Sequence, residues 1–226
     1  MNMNRKTTVL LFALLFSMTA VAQTFFSTTT VTCNEKGDRR TSFSASIEYP
    51  VSGEKKSLGA VREWICSILE TDVPGKLEEA DFRSLLRNCC GQFLIDADGT
   101  ERSIEIYRSY EDESCVTFEA EVIDKDSEKW ISQDCATFSK RDGHRLTVDE
   151  IFACGESKIK ELMWEYRGDL PMAVGSAKEL VVGEAGYIDG WVIVIGPAVN
   201  YTGAAYRLRY PEIEQYLRKG HSGGYY

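Results

Sequence analysis

Imidazole side chains are the first candidates for acid–base chemistry in this sequence, which contains only two, His144 and His221. A histidine can serve as general base for a serine nucleophile when a carboxylate orients it. The sequence contains neither the G-x-S-x-G nor the H-E-x-x-H pattern that marks such sites. His221 lies in the glycine-rich stretch HSGGYY, which cannot hold a catalytic group in fixed geometry. We therefore predict no catalytic residue and keep His144, which follows an Asp-Gly turn signal, as a candidate binding residue.

Carboxylates could support two other kinds of chemistry, calcium binding and glycan hydrolysis. In DADGTERSIE, Gly99 and Glu105 have the spacing of the sixth and twelfth positions of a calcium loop. The first position would then be Leu94, which has no oxygen ligand, and Glu105 follows the alternating rhythm of a strand. We therefore predict a hairpin turn at Asp98-Gly99 and no metal site. Adjacent acids are common in this chain, so a hydrolase that uses paired carboxylates stays open as an alternative.

Seven cysteines follow residue 22, at Cys33, Cys66, Cys89, Cys90, Cys115, Cys135 and Cys154. None forms a C-x-x-C pair or a cluster with histidine, so neither zinc binding nor thioredoxin-like redox chemistry is predicted. We predict one or two disulfides with the odd thiol left free, and buried unpaired cysteines are the alternative. Cys115 and Cys135 fall on successive predicted strands and could face each other. Of the adjacent Cys89 and Cys90, at most one is expected to point inward.

The first 22 residues have the pattern of a secretory signal peptide. Arg5 and Lys6 precede an apolar run from Val9 to Phe16, and the small residues Ala-Val-Ala end at Ala22. This order predicts cleavage after Ala22 and export to the periplasm, the cell surface or the extracellular space. The apolar run is too short to cross a bilayer and no later run is long enough, so no membrane span is predicted.

The chain is acidic, with 26 basic and 35 acidic residues and a formal net charge of -9. Removal of the signal peptide would take away its two positive charges and leave about -11. Such a charge repels nucleic acid, so no nucleic-acid partner is predicted. The charge would favour association with a basic partner, although solubility alone is the simpler explanation.

Hydrophobic periodicity predicts an α+β fold in which helices pack on one face of an antiparallel sheet meander. Strands are expected at 24–32 and 41–53, followed by helices at 57–72 and 77–90. Three meander strands are expected after residue 99, at 114–124 and at 130–140. Helices at 148–154 and 156–167, a strand at 186–197, and a strand and a helix within 203–220 complete the chain. The segment 176–182 could be helix or strand.

The predicted organisation has four parts. These are the signal peptide at 1–22, an N-terminal strand–helix region at 23–95, a C-terminal region at 96–220 and a disordered tail at 221–226. The boundary at 95 marks the change from helical to alternating periodicity, and no internal repeat or low-complexity linker interrupts the chain.

The stretch ATFSKRDGHRLTVDEIF (136–152), hereafter the corner, predicts a strand, a turn and a capped helix. Its Asp-Gly pair supplies the left-handed backbone of the turn. Thr147 and Glu150 have the spacing of a capping box, and Leu146 and Ile151 that of a hydrophobic staple. The residues assigned to architecture in the corner are Asp142, Gly143, Leu146, Thr147, Glu150, Ile151 and Phe152.

The corner also resembles the extracytoplasmic domain of the RsiV family of lysozyme-sensing anti-sigma factors. This domain, otherwise of unknown function, also occurs beside the PdaC deacetylase module. The residues that carry the resemblance are Phe138, Asp142, Gly143, Leu146, Thr147, Asp149 and Phe152, together with the later stretch GWVIVIGPAVNYTGAAYRLRYPEIEQYL. The resemblance implies an α+β domain that binds a partner. Where such domains often carry Y-[ST]-G-G-A-H, this chain has EVIDKDSEKWIS, and an anti-sigma role is not predicted.

The sequence thus predicts an exported, non-catalytic binding module of the bacterial envelope that needs no cofactor. Its partner would be a basic protein such as a muramidase, or a cell-wall glycan. Aromatic side chains are enriched at interface hot spots, so Trp130, Tyr201 and Tyr206 are candidate contacts beside His144. The alternative for Trp130 and Tyr206 is a place in the core. The competing functions are an envelope glycan hydrolase and a structural or inhibitor protein of the periplasm, which would present a flat apolar patch.

Overall fold

The computed structural model describes residues 25–38, 40–71, 77–126 and 128–218. The predicted signal peptide at 1–22 and the predicted tail at 221–226, which includes His221, lie outside the described residues. No helix within the described ranges combines the length and the apolar character that crossing a membrane requires.

The described residues form one eight-stranded sheet. Its strands in chain order are β1 (Ser27–Lys36), β2 (Ser42–Ser52), β3 (Glu101–Glu111), β4 (Cys115–Lys125), β5 (Lys129–Ser139), β6 (Ala185–Ile188), β7 (Trp191–Ala198) and β8 (Tyr201–Arg209). They lie side by side in the order β1-β2-β3-β4-β5-β8-β7-β6. Neighbours are antiparallel except at β2–β3 and β5–β8, where helices lie in the crossover connection. The predicted α+β class and the meander of β3, β4 and β5 are confirmed.

Helices connect the strands at the crossovers. The helices of the described part of the chain are α1 (Lys55–Ile68), α2 (Glu79–Asp96), α3 (Val148–Ile151), α4 (Glu156–Glu165) and α5 (Tyr210–Ile213), with short 3-10 turns at Ala177–Glu179 and Glu214–Tyr216. α1 is amphipathic, because Val61, Trp64 and Ile65 recur at helical spacing and are buried. Proline opens α5 as predicted, since the first turn of a helix needs no amide donor there.

Two of the predicted elements are wrong in extent. α2 continues through Gly91 to Asp96 instead of ending at residue 90, because Phe93 and Leu94 pack against the apolar core between the helices and the sheet. The Asp98-Gly99 turn therefore joins α2 to β3 and is not a hairpin turn, although Gly99 has the expected positive φ of 73°. The predicted strand 186–197 is the hairpin of β6 and β7, because Asp189-Gly190 turns the chain with a φ of 72° at Gly190.

The suggested pairing of Cys115 with Cys135 is also wrong. In the register of β4 and β5, Cys115 lies opposite Ser139 and Cys135 lies opposite Glu119. At the usual strand rise, that offset separates the two cysteines by roughly 13 Å along the sheet. A disulfide needs Cα atoms within about 7 Å, so the two cannot be joined without rebuilding the sheet.

The described residues form two large apolar cores, and a small third cluster contains Cys135, Ile188 and Ile193. The first core lies between α1, α2 and one face of β1 to β5, and it contains the stack of Tyr49 on Phe82 with ring centroids 3.9 Å apart. It takes residues from both predicted regions, 23–95 and 96–220. The second core lies between α4 and β6 to β8, and it includes Met163, Tyr187 and Tyr206, which are fully buried.

The second face of β1 to β5 is covered at only one end, where β6 folds back over the sheet. The amide of Tyr187 donates a 3.2 Å hydrogen bond to Thr137 Oγ1 on β5. Gly186 passes so close that a Cβ there would lie 3.0 Å from the same oxygen and 3.2 Å from Thr117 Cγ2. A side chain at residue 186 would hold β6 off the sheet, so glycine permits this closure.

Candidate functional site: the open face of the sheet

The aromatic candidates predicted from the sequence do not form one surface. Trp130 is 43% exposed at the start of β5. Tyr201 begins β8 opposite Ile131, but its half-buried side chain packs against the second core. Tyr206 is fully buried, and its hydroxyl donates a 2.5 Å hydrogen bond to the Pro197 carbonyl. The prediction of Tyr206 as a contact residue is therefore wrong, and the core alternative is right.

His144 lies beyond the other end of β5, exposed and bridging two carboxylates. Its Nδ1 is 2.6 Å from Asp142 Oδ1, and its Nε2 is 3.0 Å from Glu150 Oε1. A protonated imidazole can donate to both oxygens at once. Nine residues of β5, 131–139, separate this group from Trp130, which is roughly 30 Å of strand, so the two cannot contact one small ligand together.

His144 should make stability depend on pH. The hydrogen bond with Asp142, followed by that with Glu150, raises the pKa of His144 above its usual value of 6.5. A raised folded-state pKa stabilises the protein fully below about pH 6.5, and this contribution is lost as pH rises through the folded-state pKa. We expect the wild-type free energy of unfolding to fall by about 0.2–1 kcal/mol between pH 6 and 9, as for exposed ion pairs. Urea unfolding at several pH values measures it.

The His144→Gln variant should lack this pH-dependent contribution, and His221→Gln serves as the control for losing a histidine elsewhere. Equal pH profiles for wild type and His144→Gln would show that the bridge contributes nothing to folding. The comparison is made above pH 5, because carboxylate titration dominates at more acidic pH. The hydrogen bond with His144 lowers the pKa of Asp142, whereas the Thr147 amide, and to a smaller extent His144, lowers the pKa of Glu150.

The rest of the corner is architecture, as the sequence indicates. The Thr147 amide donates to Glu150 Oε2 at 2.9 Å and the Thr147 side chain accepts from the Glu150 amide, which closes the capping box. The Thr147 hydroxyl also lies 3.0 Å from Glu150 Oε2. Leu146, Ile151 and Phe152 are buried in the second core. Gly143 has a φ of 82°, and a Cβ there would lie 2.6 Å from the Lys56 carbonyl in α1. The corner therefore fastens the second core to the start of the first helix.

The uncovered part of the second sheet face, hereafter the open face, is the candidate binding surface. Side chains alternate along each strand, so every second residue of β1 to β5 points away from the first core. Hydroxyl, amide and carboxylate groups occupy these positions. The open face comprises Thr30, Thr32, Ser44, Ser46, Glu105, Tyr107, Glu121 and Gln133. Thr30, Thr32 and Ser46 are exposed, so no described element covers the β1 and β2 part of this face.

At its centre the open face has an acidic pocket of about 110 Å³ lined by Glu105, Tyr107, Glu119, Glu121 and Arg207, among others. Glu105 and Glu121 are direct cross-strand partners on β3 and β4. Glu119 is 6% exposed and is paired with Arg207 at 3.1 Å. Burial, and then the Glu119 carboxylate, raise the pKa of Tyr107. The charge of Arg207 is thus already neutralised by Glu119, while the carboxylates of Glu105 and Glu121 lie opposite each other without a described cation between them.

A glutamine organises the wall of this pocket. Gln133 Nε2 donates to Glu121 Oε2 at 2.9 Å, and Gln133 Oε1 accepts from the Ala205 amide at 2.9 Å. The amide is therefore held at both ends, and it fixes one of the two facing carboxylates. Like charges directly opposite on neighbouring strands destabilise a sheet, so Glu105 and Glu121 are not placed for stability. Departures of this kind from local consistency are expected at functional sites.

A second concave region, the cleft, lies on the helix-covered side between the end of α1, α2 and the sheet. It measures about 810 Å³, with Phe43, Phe93 and Ile104 among its apolar lining. At its edge Arg102 is bidentate to Asp124, with N–O distances of 2.7 and 2.9 Å, and its guanidinium lies 5.0 Å from the Phe93 ring centroid. These charges satisfy each other, so the cleft has the character of an apolar recess.

The described residues contain no group of three or more His, Cys, Asp or Glu side chains that could hold a metal ion. Sequence reasoning missed the acidic pocket altogether. A signal was present in SIEIY and FEAEV, where Glu105, Glu119 and Glu121 all fall on outward positions of two successive strands. What the alternation cannot report is which of these acids face each other, because that depends on the register.

The fold has relatives among solved structures. No protein-family model and no curated protein matches the chain. The crystal structure of a DUF3298 family member from Bacteroides fragilis matches with a TM-score of 0.64 at 10% identity, over 87% of this chain and 95% of that one. A DUF3298 protein from Pseudomonas aeruginosa matches with a TM-score of 0.52 at 9% identity and the same coverage. The chain therefore has the fold of the DUF3298 domains, an uncharacterised family.

Proposed function

We propose that this protein is an exported, non-catalytic binding module of the bacterial envelope whose open face binds a basic protein of the muramidase type. The observation that carries the proposal is the pair of Glu105 and Glu121, placed directly opposite each other on an uncovered sheet face. A cation between the two carboxylates relieves the repulsion within such a pair. A lysine or arginine of a partner would supply that cation.

Charge and chemistry agree with a basic partner. The chain carries a net charge of -9, and Arg207 beside the pocket is already occupied by Glu119. Opposite net charges accelerate association and orient the encounter. The hydroxyl groups of β1 and β2 extend the surface with donors and acceptors suited to the polar rim of an interface. Trp130, exposed elsewhere on β5, stays a candidate contact.

The signal-peptide pattern and the family resemblance support the proposed location and the proposed type of partner. The first 22 residues have the order of a signal peptide, which supports export to a compartment that contains muramidases and cell-wall glycan. The resemblance of the corner to the RsiV-like domain points to a lysozyme-type partner. The DUF3298 fold is compatible with that resemblance and does not by itself name a ligand.

The double variant Glu105→Gln/Glu121→Gln should bind hen lysozyme about tenfold more weakly than wild type, a change of about 1.4 kcal/mol. The same variant should unfold at equal or higher urea concentration, because it relieves a like-charge pair that costs about 0.2–1 kcal/mol. Biolayer interferometry at about 50 and 300 mM salt measures affinity and rate, and salt should weaken the wild-type complex more than the variant complex.

The matched control is Glu113→Gln/Asp189→Asn, which removes the same number of charges from two exposed turn positions. It should lower the association rate slightly and leave the dissociation rate unchanged, because remote charges act only through steering. If both double variants weaken binding equally, net charge and not the open face governs association. If the wild-type protein does not bind lysozyme at all, the choice of partner is wrong.

A hydrolase with paired carboxylates is the alternative that one observation favours. Facing residues on antiparallel strands have Cβ atoms about 4.5–5.5 Å apart, which lets their carboxyl groups reach the separation of about 5–5.5 Å found in retaining glycosidases. This alternative predicts release of soluble muropeptides from purified peptidoglycan by wild type and loss of that activity in Glu121→Gln. Binding of peptidoglycan without release would instead place glycan, rather than protein, on the open face. Loss of lysozyme activity in the complex would identify an inhibitor.

A further inference from the structure

Four of the seven cysteines gather around one helix. Cys33 lies on β1, Cys66 on α1, and Cys89 and Cys90 in the middle of α2. The other three lie on β4, on β5 and after α3. All seven are thiols in this structure. The four that gather are distributed over β1, α1 and α2, which all contribute side chains to the first core. Cross-links between these elements would join distant parts of the chain.

Cys90 and Cys33 are in contact. Both are buried in the first core, with exposures of 1% and 8%. The Cys90 thiol lies within hydrogen-bonding reach of the Cys33 thiol. Further along, Leu94 of α2 lies over the end of β1, 3.3 Å from the Cβ position of Gly37. The helix therefore runs over β1 with Cys90 facing the strand.

Cys89 faces a different neighbour. It lines the cleft beside the last turn of α1, together with Ser67 and Leu69. Cys66, in that turn, is buried and directly precedes Ser67 of this lining. Burial is the main cause that raises the pKa of its thiol, and the Cys89 thiol adds a smaller contribution. Successive side chains of a helix point about 100° apart, so Cys90 can face β1 while the adjacent Cys89 faces α1.

The apolar face of α2 is only partly buried. Of its 18 residues Phe82, Leu86 and Cys90 are buried, Leu85, Phe93 and Leu94 are partly buried against the first core, and Ile95 is 78% exposed. Most helical stability in proteins comes from packing of an apolar face. Cross-links to β1 and α1 would stabilise the helix independently of that packing.

We propose that Cys33–Cys90 and Cys66–Cys89 form two disulfides that fasten α2 to β1 and to α1, leaving Cys115, Cys135 and Cys154 as thiols. Each bond forms when two thiols give up two protons and two electrons to a disulfide oxidant, whose own disulfide is reduced to two thiols. A thiol oxidoreductase or oxidised glutathione can supply that oxidant. The same residues do not form a metal site, since no cluster of three ligands exists in the described ranges.

The bonds should form while the chain folds. Burial raises the pKa of Cys66 and of Cys89, and it raises the pKa of Cys90 to about 12. The thiolate is the reactive species, so these thiols exchange slowly once the core has closed. Oxidation is therefore tested during refolding.

The test refolds the reduced full chain from urea in a glutathione redox buffer, alkylates free thiols after unfolding, and maps linked peptides by mass spectrometry. Wild type should show three alkylated and four linked cysteines. Because Cys89 and Cys90 share a peptide, two double variants decide the pairing. Cys33→Ala/Cys90→Ala should keep one disulfide, whereas Cys33→Ala/Cys89→Ala, which removes one partner of each pair, should keep none.

The test has two readouts, the urea unfolding midpoint and the map of linked cysteines. Reduction of the oxidised wild type should lower the midpoint of urea unfolding, and it should lower that of Cys33→Ala/Cys90→Ala by a smaller amount. Seven alkylatable thiols after oxidative refolding, or any link to Cys115, Cys135 or Cys154, would overturn the proposal. If Cys33→Ala/Cys89→Ala retains a disulfide, the assignment of the two pairs is wrong. Circular dichroism of each reduced variant verifies that it has folded.

Discussion

Replacing Gly143 with alanine should destabilise the protein by about 3 kcal/mol or more. A left-handed backbone costs an ordinary residue about 1–2 kcal/mol, and Gly143 has a φ of 82°. The added methyl group would also lie 2.6 Å from both the carbonyl carbon and the oxygen of Lys56. The Lys56 carbonyl belongs to the backbone of α1 and cannot change rotamer as a side chain can. The steric overlap should therefore add about 1–3 kcal/mol to the loss of stability. Thermal and urea unfolding measure the loss.

Gly190→Ala is the matched control, because this glycine also follows an aspartate in a turn. Its φ is 72°, and no heavy atom lies within 4 Å of its Cβ position. Only the backbone term applies there, so we expect a cost of about 1–2 kcal/mol. Equal losses in the two variants would mean that Gly143 does not pack against α1, and the fastening of the corner to that helix would be wrong.

The second large effect is expected at Glu111, whose side chain is 6% exposed at the end of β3. One carboxylate oxygen lies 2.8 Å from Lys140 Nζ and accepts from the Phe26 amide at 2.8 Å. The other accepts from Arg108 at 2.7 Å. Glu111→Gln keeps the shape but leaves the buried Lys140 ammonium without its counter-charge, which should cost about 3–5 kcal/mol. Urea unfolding at neutral pH measures the change.

Two further variants isolate the charge at Glu111. Glu113→Gln, two residues away and exposed, should change stability by less than about 0.5 kcal/mol. Lys140→Met should cost about as much as Glu111→Gln, and the double variant should cost less than the sum, since a direct pair couples by about 0.5–3 kcal/mol. Strict additivity would show that the two side chains do not interact, and it would remove the link between the start of β1 and the corner.

Local features of the corner could be predicted completely from the sequence. A capping box joins residues three apart, and a turn joins residues next to each other, so no knowledge of the rest of the chain is needed. Thr147, Glu150 and the left-handed Gly143 are accordingly found as predicted. The sheet class and the meander were predictable for a similar reason, because short connections make successive strands neighbours.

The sequence predicts which face of a strand or helix is buried, but it does not predict which residues the buried side chains contact. Alternation in β8 puts Tyr206 on the buried face with Ala204 and Leu208, yet it cannot tell that its hydroxyl has the Pro197 carbonyl as a partner. In α2 tertiary contacts outweigh the local signal, because packing of Phe93 on the first core offsets the poor helix propensity of glycine at Gly91.

The candidate site was decided entirely by tertiary structure. Glu105 and Glu121 are neighbours only because β3 and β4 pair in one register, and a shift of one residue would have turned the two acids to opposite faces. Cys33 meets Cys90, and Gly143 meets Lys56, across crossover connections that bring residues distant in sequence together. The sequence by itself determined which residues cap, turn and alternate, because those properties depend on a few neighbouring residues. Strand order and register determined which of them converge, because that choice is made by the packing of the whole sheet.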